Sequence, residues 1–146
     1  DKKMAITTGV NNQFKSEVML AEHDLEDNTL KVILVSSSQN VSAGGPNTYA
    51  SVTSQLANGN GYTTGGKTLA TVSVSTIDSS GIVDFADVSW AAATFSANGC
   101  VIYNDSHSSK SIIAVYDFGG EKSATNGEFK LVVPAPTSAS AVIRLN

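Results

Sequence analysis

The sequence predicts a mainly β domain, an antiparallel β-sandwich or barrel of jelly-roll-like design with one N-terminal amphipathic helix. Three observations predict it. Short runs alternate branched or aromatic residues with Ser, Thr or Asp; turn signals separate them at fairly even intervals; and helical periodicity occurs once, near the amino end. The chain has 146 residues, which suits one domain and not two.

The helix comes first. Phe14, Val18, Ala21 and Leu25 recur at spacings of four, three and four, a single stripe on a helix over residues 12–25. Lys15, Glu17 and Glu22 take the other faces, and Asn11 or Asn12 serves as N-cap. Residues 24–28 form the polar turn that ends it, with His23 near the helix C-terminus, where positive charge is favoured. Leu30–Val35 is a run of branched residues, the form of a buried strand. Residues 36–66 are rich in Ser, Asn, Gly and Gln, and only residues 49–52 hint at extension. Connections of this length are usually functional or ordered by a partner.

Beyond Thr68 strand signals become regular. Ala70, Val72 and Val74 alternate with polar residues, as do Val83 and Phe85; Ile112, Ala114, Tyr116 and Phe118 share a face. Residues 90–95 and 100–103 lie between them as two further runs, and Phe129, Leu131 and Val133, then Ala141, Ile143 and Leu145, mark the last two faces. Turns are expected at residues 78–81, Asn98-Gly99, residues 104–109, Gly119-Gly120 and Asn126-Gly127. The organisation expected is an N-terminal arm over 1–10, a β-rich domain over 11–133, and a Pro-containing linker with a C-terminal strand or arm over 134–146. That last strand can pair with its own sheet or a neighbour's. Residues 1–3 precede Met4 and read as a processing remnant.

Composition excludes several functions. Charged residues make up 15% and the net charge is −4, with the basic residues scattered, so no nucleic-acid surface is expected. No apolar run reaches the roughly 20 residues of a membrane span, and no export signal is apparent. The single Cys100 cannot form an internal disulfide.

Residues 61–68, GYTTGGKT, satisfy the P-loop pattern literally. A P-loop follows a buried parallel strand and opens a helix; here a polar stretch precedes it and a strand-like run follows, so its glycines are expected to make tight turns. Asp105-Ser106-His107 holds the residue types of a hydrolase triad, but neighbours in a loop cannot converge as a triad must, and His107 is expected to be solvated. Two His and one Cys make a zinc site improbable. The acidic residues 24–28 lack the glycine and distal Glu of a calcium loop. Asp84 and Asp87 face opposite sides of a strand and cannot act as a carboxylate pair. Trp90, Phe95 and Tyr103 suit a core better than a sugar-stacking platform. No catalytic, cofactor-binding or metal-binding residue is assigned.

Several strings carry a resemblance: NQFKSEVMLAEHDL, LKVILVSSS, GYTTGGKTLATVSV, VDFADVSWAAATFSANGCVIYND and IIAVYDFGGEKSATNGEF. In this order, over residues 11–133, they resemble a family of small structural proteins of tailed bacteriophages. The resemblance implies a cofactor-free virion component, not an enzyme, made in the host bacterial cytoplasm and placed on the capsid surface. Head decoration or cement is the first role implied; a tail- or fibre-associated adhesin domain binding a host glycan is the alternative. The implied partner is the major capsid protein, bound by a symmetric homo-oligomer without nucleic acid or membrane. The terminal segments and the long loop are the expected contact regions, and Ile6, Val10, Phe14, Tyr49, Tyr62, Ile143 and Leu145 the candidate capsid contacts.

Overall fold

The computed structural model describes residues 6, 8–36 and 41–145. In chain order the elements are β1 (Gly9–Val10), α1 (Asn12–Met19), β2 (Leu30–Val35), a 3-10 turn (Tyr49–Ser51), β3 (Lys67–Thr68), β4 (Ser73–Ile77), β5 (Ser80–Asp84), β6 (Val88–Asn104), β7 (Ile112–Leu131) and β8 (Ile143–Leu145). They form two antiparallel sheets, ordered β1-β7-β6-β2-β3 and β4-β5-β8. The arrangement is sandwich-like and does not close into a barrel.

The branched run of β2 has a physical cause in this layering. Its alternate side chains enter two different cores: Leu30, Val32 and Leu34 join one, Ile33 and Val35 the other. A strand covered on both faces needs apolar residues at successive positions. One face looks toward α1 and the small sheet, through Phe14, Val83, Phe85 and Ile143. The other is covered by the long connection, which lays Val41, Tyr49 and Val52 over Ile33, Val101, Tyr103 and Val115. The partner that orders residues 41–56 is thus the chain's own sheet. Tyr49 lies in a 3-10 turn, not in extended chain, and stacks on Tyr103 with ring centroids 4.7 Å apart.

Helix α1 starts where expected and stops early. The Asn11 side chain accepts hydrogen bonds from the Gln13 and Phe14 backbone at 2.9 and 3.2 Å, the role of an N-cap. The helix ends at Met19, not residue 25, because Ala21 adopts a left-handed φ of 58° and the Glu22 amide turns back onto the Glu17 carbonyl. Leu25 still packs against the main core, but from the loop.

The largest departure from expectation is the β6–β7 hairpin. Residues 90–95 and 100–103 belong to one strand of 17 residues, paired along its length with a strand of 20. Asn98-Gly99, Gly119-Gly120 and Asn126-Gly127 are not turns between strands; they sit at or beside irregularities within this ladder. Ala97 pairs with Lys122 and Gly99 with Asp117, so residues 118–121 bulge opposite Asn98 alone. Gly119 and Gly120 have φ of 76° and 148°, which supplies the bend without a Cβ penalty.

The ends are less free than arms. Gly9 and Val10 pair with Val115 and Ala114, Ile6 is buried, and the Asp117 amide donates to Thr8 Oγ1. Residues 1–5 and 7 of the predicted arm lie outside the described residues. At the other end β8 pairs with β5 of the same chain, after a linker over 132–142.

Candidate functional site

The densest polar cluster lies where α1, the loop after it and the β6–β7 turn meet. Glu17 is buried on the sheet side of α1. Its Oε2 accepts from His23 Nε2 at 2.8 Å, while Oε1 accepts from Gln13 Nε2 at 2.6 Å and from Ser111 Oγ at 3.1 Å. The opposite ring nitrogen, His23 Nδ1, lies 2.9 Å from Asn104 Nδ2, which also donates to Asn28 Oδ1 at 2.7 Å. Because Asn104 Oδ1 accepts the Ser106 amide at 3.0 Å, its amide orientation is set by this network. His23 Nδ1 is then an acceptor, and the proton sits on Nε2, pointed at the carboxylate. Burial pushes the Glu17 carboxyl up, but the hydrogen bonds from His23, Gln13 and Ser111 outweigh it and hold the group below its ordinary range.

His107 completes the cluster. Its ring stacks on His23 with centroids 4.9 Å apart and planes 18° from parallel. The Ser109 amide donates to its Nδ1, so Nε2 carries the proton toward Glu22 Oε2, 3.1 Å away. The expectation of a solvated His107 is corrected: its side chain is only 11% exposed, because the turn folds back over His23.

Glu17, His23 and His107 offer three ligand atoms within 4.8 Å of one another, a juxtaposition the two-His count did not foresee. An imidazole offers its lone pair in the ring plane, and two stacked, nearly parallel rings direct theirs past each other. With His23 also engaged at both nitrogens, the arrangement does not aim three lone pairs at one point. Ser111, His107 and Glu22 line up as a relay, Ser111 Oγ lying 3.2 Å from His107 Nδ1. Yet Ser111 is 1% exposed and its proton serves Glu17, so a substrate carbonyl has no approach. The cluster is a structural clasp across three elements. Asp105 and Ser106 take no part in a triad: Asp105 pairs with Lys31 and Lys110, and Ser106 Oγ accepts the Thr29 amide.

The P-loop reading fails on geometry. Thr63 and Gly66 close a turn, and the strand Lys67–Thr68 follows, not a helix. Gly66 has φ of 77°, and a Cβ there would collide with the Val32 carbonyl. Lys67 Nζ, the would-be phosphate ligand, donates to the Ser89 carbonyl at 2.6 Å and lies over the Trp90 ring.

Several sequence-expected contacts are occupied by the chain itself. Ile6, Phe14, Tyr62 and Ile143 are at most 5% exposed, so they fill the core and do not face a capsid. Phe14 packs against the His23 ring, and Tyr62 joins Trp90 and Phe95 in an aromatic cluster. Val10 and Tyr49 are half-buried; Leu145 is 39% exposed. Among the described residues the large apolar side chains most available are Met19, 82% exposed, and Leu20 and Val132, each 69% exposed; Met19 and Leu20 adjoin at the end of α1. Next to them Ala21, Leu25, Val74 and Leu145 line a groove between the end of α1 and the small sheet. Met19 and Leu20 fall outside the stripe of Phe14, Val18, Ala21 and Leu25, so a reading built on that stripe does not reveal them.

Comparison with protein-family models, curated proteins and solved structures finds no match to this chain.

Proposed function

We propose that this chain is a non-enzymatic virion structural protein of a tailed bacteriophage, docking on the major capsid protein as a decoration or cement protein. The observation that carries the reading is the exposed Met19-Leu20 pair beside the groove lined by Val74 and Leu145. Apolar side chains grouped in this way mark contact surfaces more often than scattered ones do. The short edge strand β8 adds unpaired backbone groups next to it, to which a lattice segment can add a strand. A surface poor in charge and rich in Ser and Thr suits many modest contacts repeated across a symmetric lattice. The saturated valences of the Glu17–His23–Asn104 clasp favour a structural role for the most chemically equipped residues. Among the described residues no helix is long and apolar enough to cross a membrane.

A glycan-binding fibre domain is the less favoured alternative, because stacking on sugars needs exposed aromatic faces. Trp90, Tyr62 and Tyr103 are at most 2% exposed.

The test is a binding assay with purified expanded heads stripped of accessory proteins. The wild-type chain is expected to saturate at a fixed ratio to the capsid protein. The double substitution Met19→Glu with Leu20→Glu should lower occupancy at least ten-fold with an unchanged melting temperature, since both side chains lie in water already. Equal occupancy by the variant would remove this face from the account.

A further inference from the structure

The few charges of this chain are unevenly placed, and one concentration of them borders an apolar groove. Of the 13 acidic residues, Glu22, Asp24, Glu26 and Asp27 fall together in the loop that follows α1. Glu22 faces His107, but Asp24, Glu26 and Asp27 have no ion partner among the described residues. Asp24 and Glu26 line the groove between the end of α1 and the small sheet, a space of about 510 Å³. No lysine or arginine among the described residues lines it. The two carboxylates are held in place by backbone donors. Asp24 Oδ1 accepts from the Glu26 and Asp27 amides at 3.3 and 3.1 Å, and Glu26 Oε1 reaches across to accept from the Val74 amide of β4 at 2.8 Å. The groove itself is apolar, walled by Val18, Leu25, Val83 and Ile143 among others. Of the five large apolar side chains exposed among the described residues, Met19, Leu20, Val74 and Leu145 lie on or beside it.

We propose that this groove takes a short basic segment of a partner protein, one that carries large apolar side chains flanked by lysine or arginine. On the docking role proposed above, on which this inference rests, that segment belongs to the capsid protein. Each half of the partner answers an observation: its apolar side chains cover the exposed apolar group, and its cations meet the uncompensated carboxylates at the rim. Complementary charge of this kind steers encounter and sets register, while apolar burial supplies affinity. A neutral or acidic segment would bury the same apolar surface and leave Asp24 and Glu26 facing no opposite charge.

The experiment titrates the full chain, without capsids, with three acetylated and amidated hexapeptides. The first has two leucines flanked on each side by two lysines; the second replaces the lysines by glutamates, and the third replaces the leucines by serines. The lysine-leucine peptide is expected to bind one per chain, about ten-fold tighter than either control at low salt. Its advantage over the glutamate peptide should vanish in about 1 M salt, where the Debye length falls to about 3 Å. Asp24→Asn with Glu26→Gln keeps the acceptor oxygens and removes the charge, so it should erase most of that advantage at an unchanged melting temperature. Should the double variant not fold, the wild-type amides of Val74 and Leu145 report instead, and they should shift as the lysine-leucine peptide is added. No saturable binding, equal affinity for the lysine and glutamate peptides, an advantage unchanged by the double substitution, or shifts confined to other faces would overturn the proposal. The docking role fails separately. Stripped heads that bind the wild type and the double variant equally at every salt concentration would overturn the basic partner and leave that role standing. Heads that bind no chain, while the lysine-leucine peptide binds as expected, would remove that role and support the groove's preference for a basic segment.

Discussion

Replacing Glu17 by Ala leaves His23, Gln13 and Ser111 with donors aimed at an empty position in a buried site. The expected cost is about 2–4 kcal/mol, read as a lowered urea midpoint at unchanged slope. The carboxyl also carries a pH signature. Its folded-state affinity for protons lies below the ordinary value of 4.5, so its contribution to stability is complete above that value. That contribution is lost as pH falls through the folded-state range. Urea midpoints of the wild type should therefore drop steeply below pH 4.5, and those of Glu17→Gln less steeply; parallel profiles would contradict the assignment. Cys100 gives an independent check on the core: burial pushes its thiol up to about 12, so a thiol reagent at pH 8 should label it only at the rate of unfolding. At this scale the sequence was legible only locally. The Asn11 cap acts over two and three residues and could be expected from the chain. The bond from Ser111 to Glu17 spans 94 positions, and no local pattern announces it.

Strands that end in a turn and strands that bulge share the same residues, so residue type alone does not separate the two outcomes. Asn and Gly promote both outcomes, and what decides between them is whether the ladder resumes beyond. In β6 and β7 it does, so expected turns became irregularities in one long hairpin, while Asp78 to Gly81 and the turn after Asn104 reverse the chain as expected. Leu30–Val35 was legible to the residue because burial on both faces leaves an unbroken apolar run. The cover over its second face was not, since residues 41–56 carry no periodicity. Gly66 fixes where that cover joins β3. Gly66→Ala forces a Cβ against the Val32 carbonyl at a left-handed φ, and a loss of about 3 kcal/mol is expected in thermal or urea denaturation. A loss under 1 kcal/mol would mean that the turn relaxes and does not hold β2 and β3 in register.

For the whole molecule the mainly β, antiparallel class followed from strand spacing, which left sandwich and barrel both open, and the functional surface did not follow from it. Four of the seven residues expected to touch a capsid are buried in the chain's own core. Apolar type alone cannot distinguish a core residue from a contact residue; exposure does, and among the described residues it marks Met19, Leu20, Val74, Val132 and Leu145, all but Val132 on or beside the groove at the end of α1. The central claim is that this face seats the domain on a phage head. An electron-microscopy reconstruction of the parent particle tests it most directly. The account predicts one copy of the domain at each equivalent lattice position on the outer head surface, with Met19 and Leu20 turned toward the capsid protein. Density for the chain at the tail tip alone, or on the head with that face turned to solvent, would contradict it.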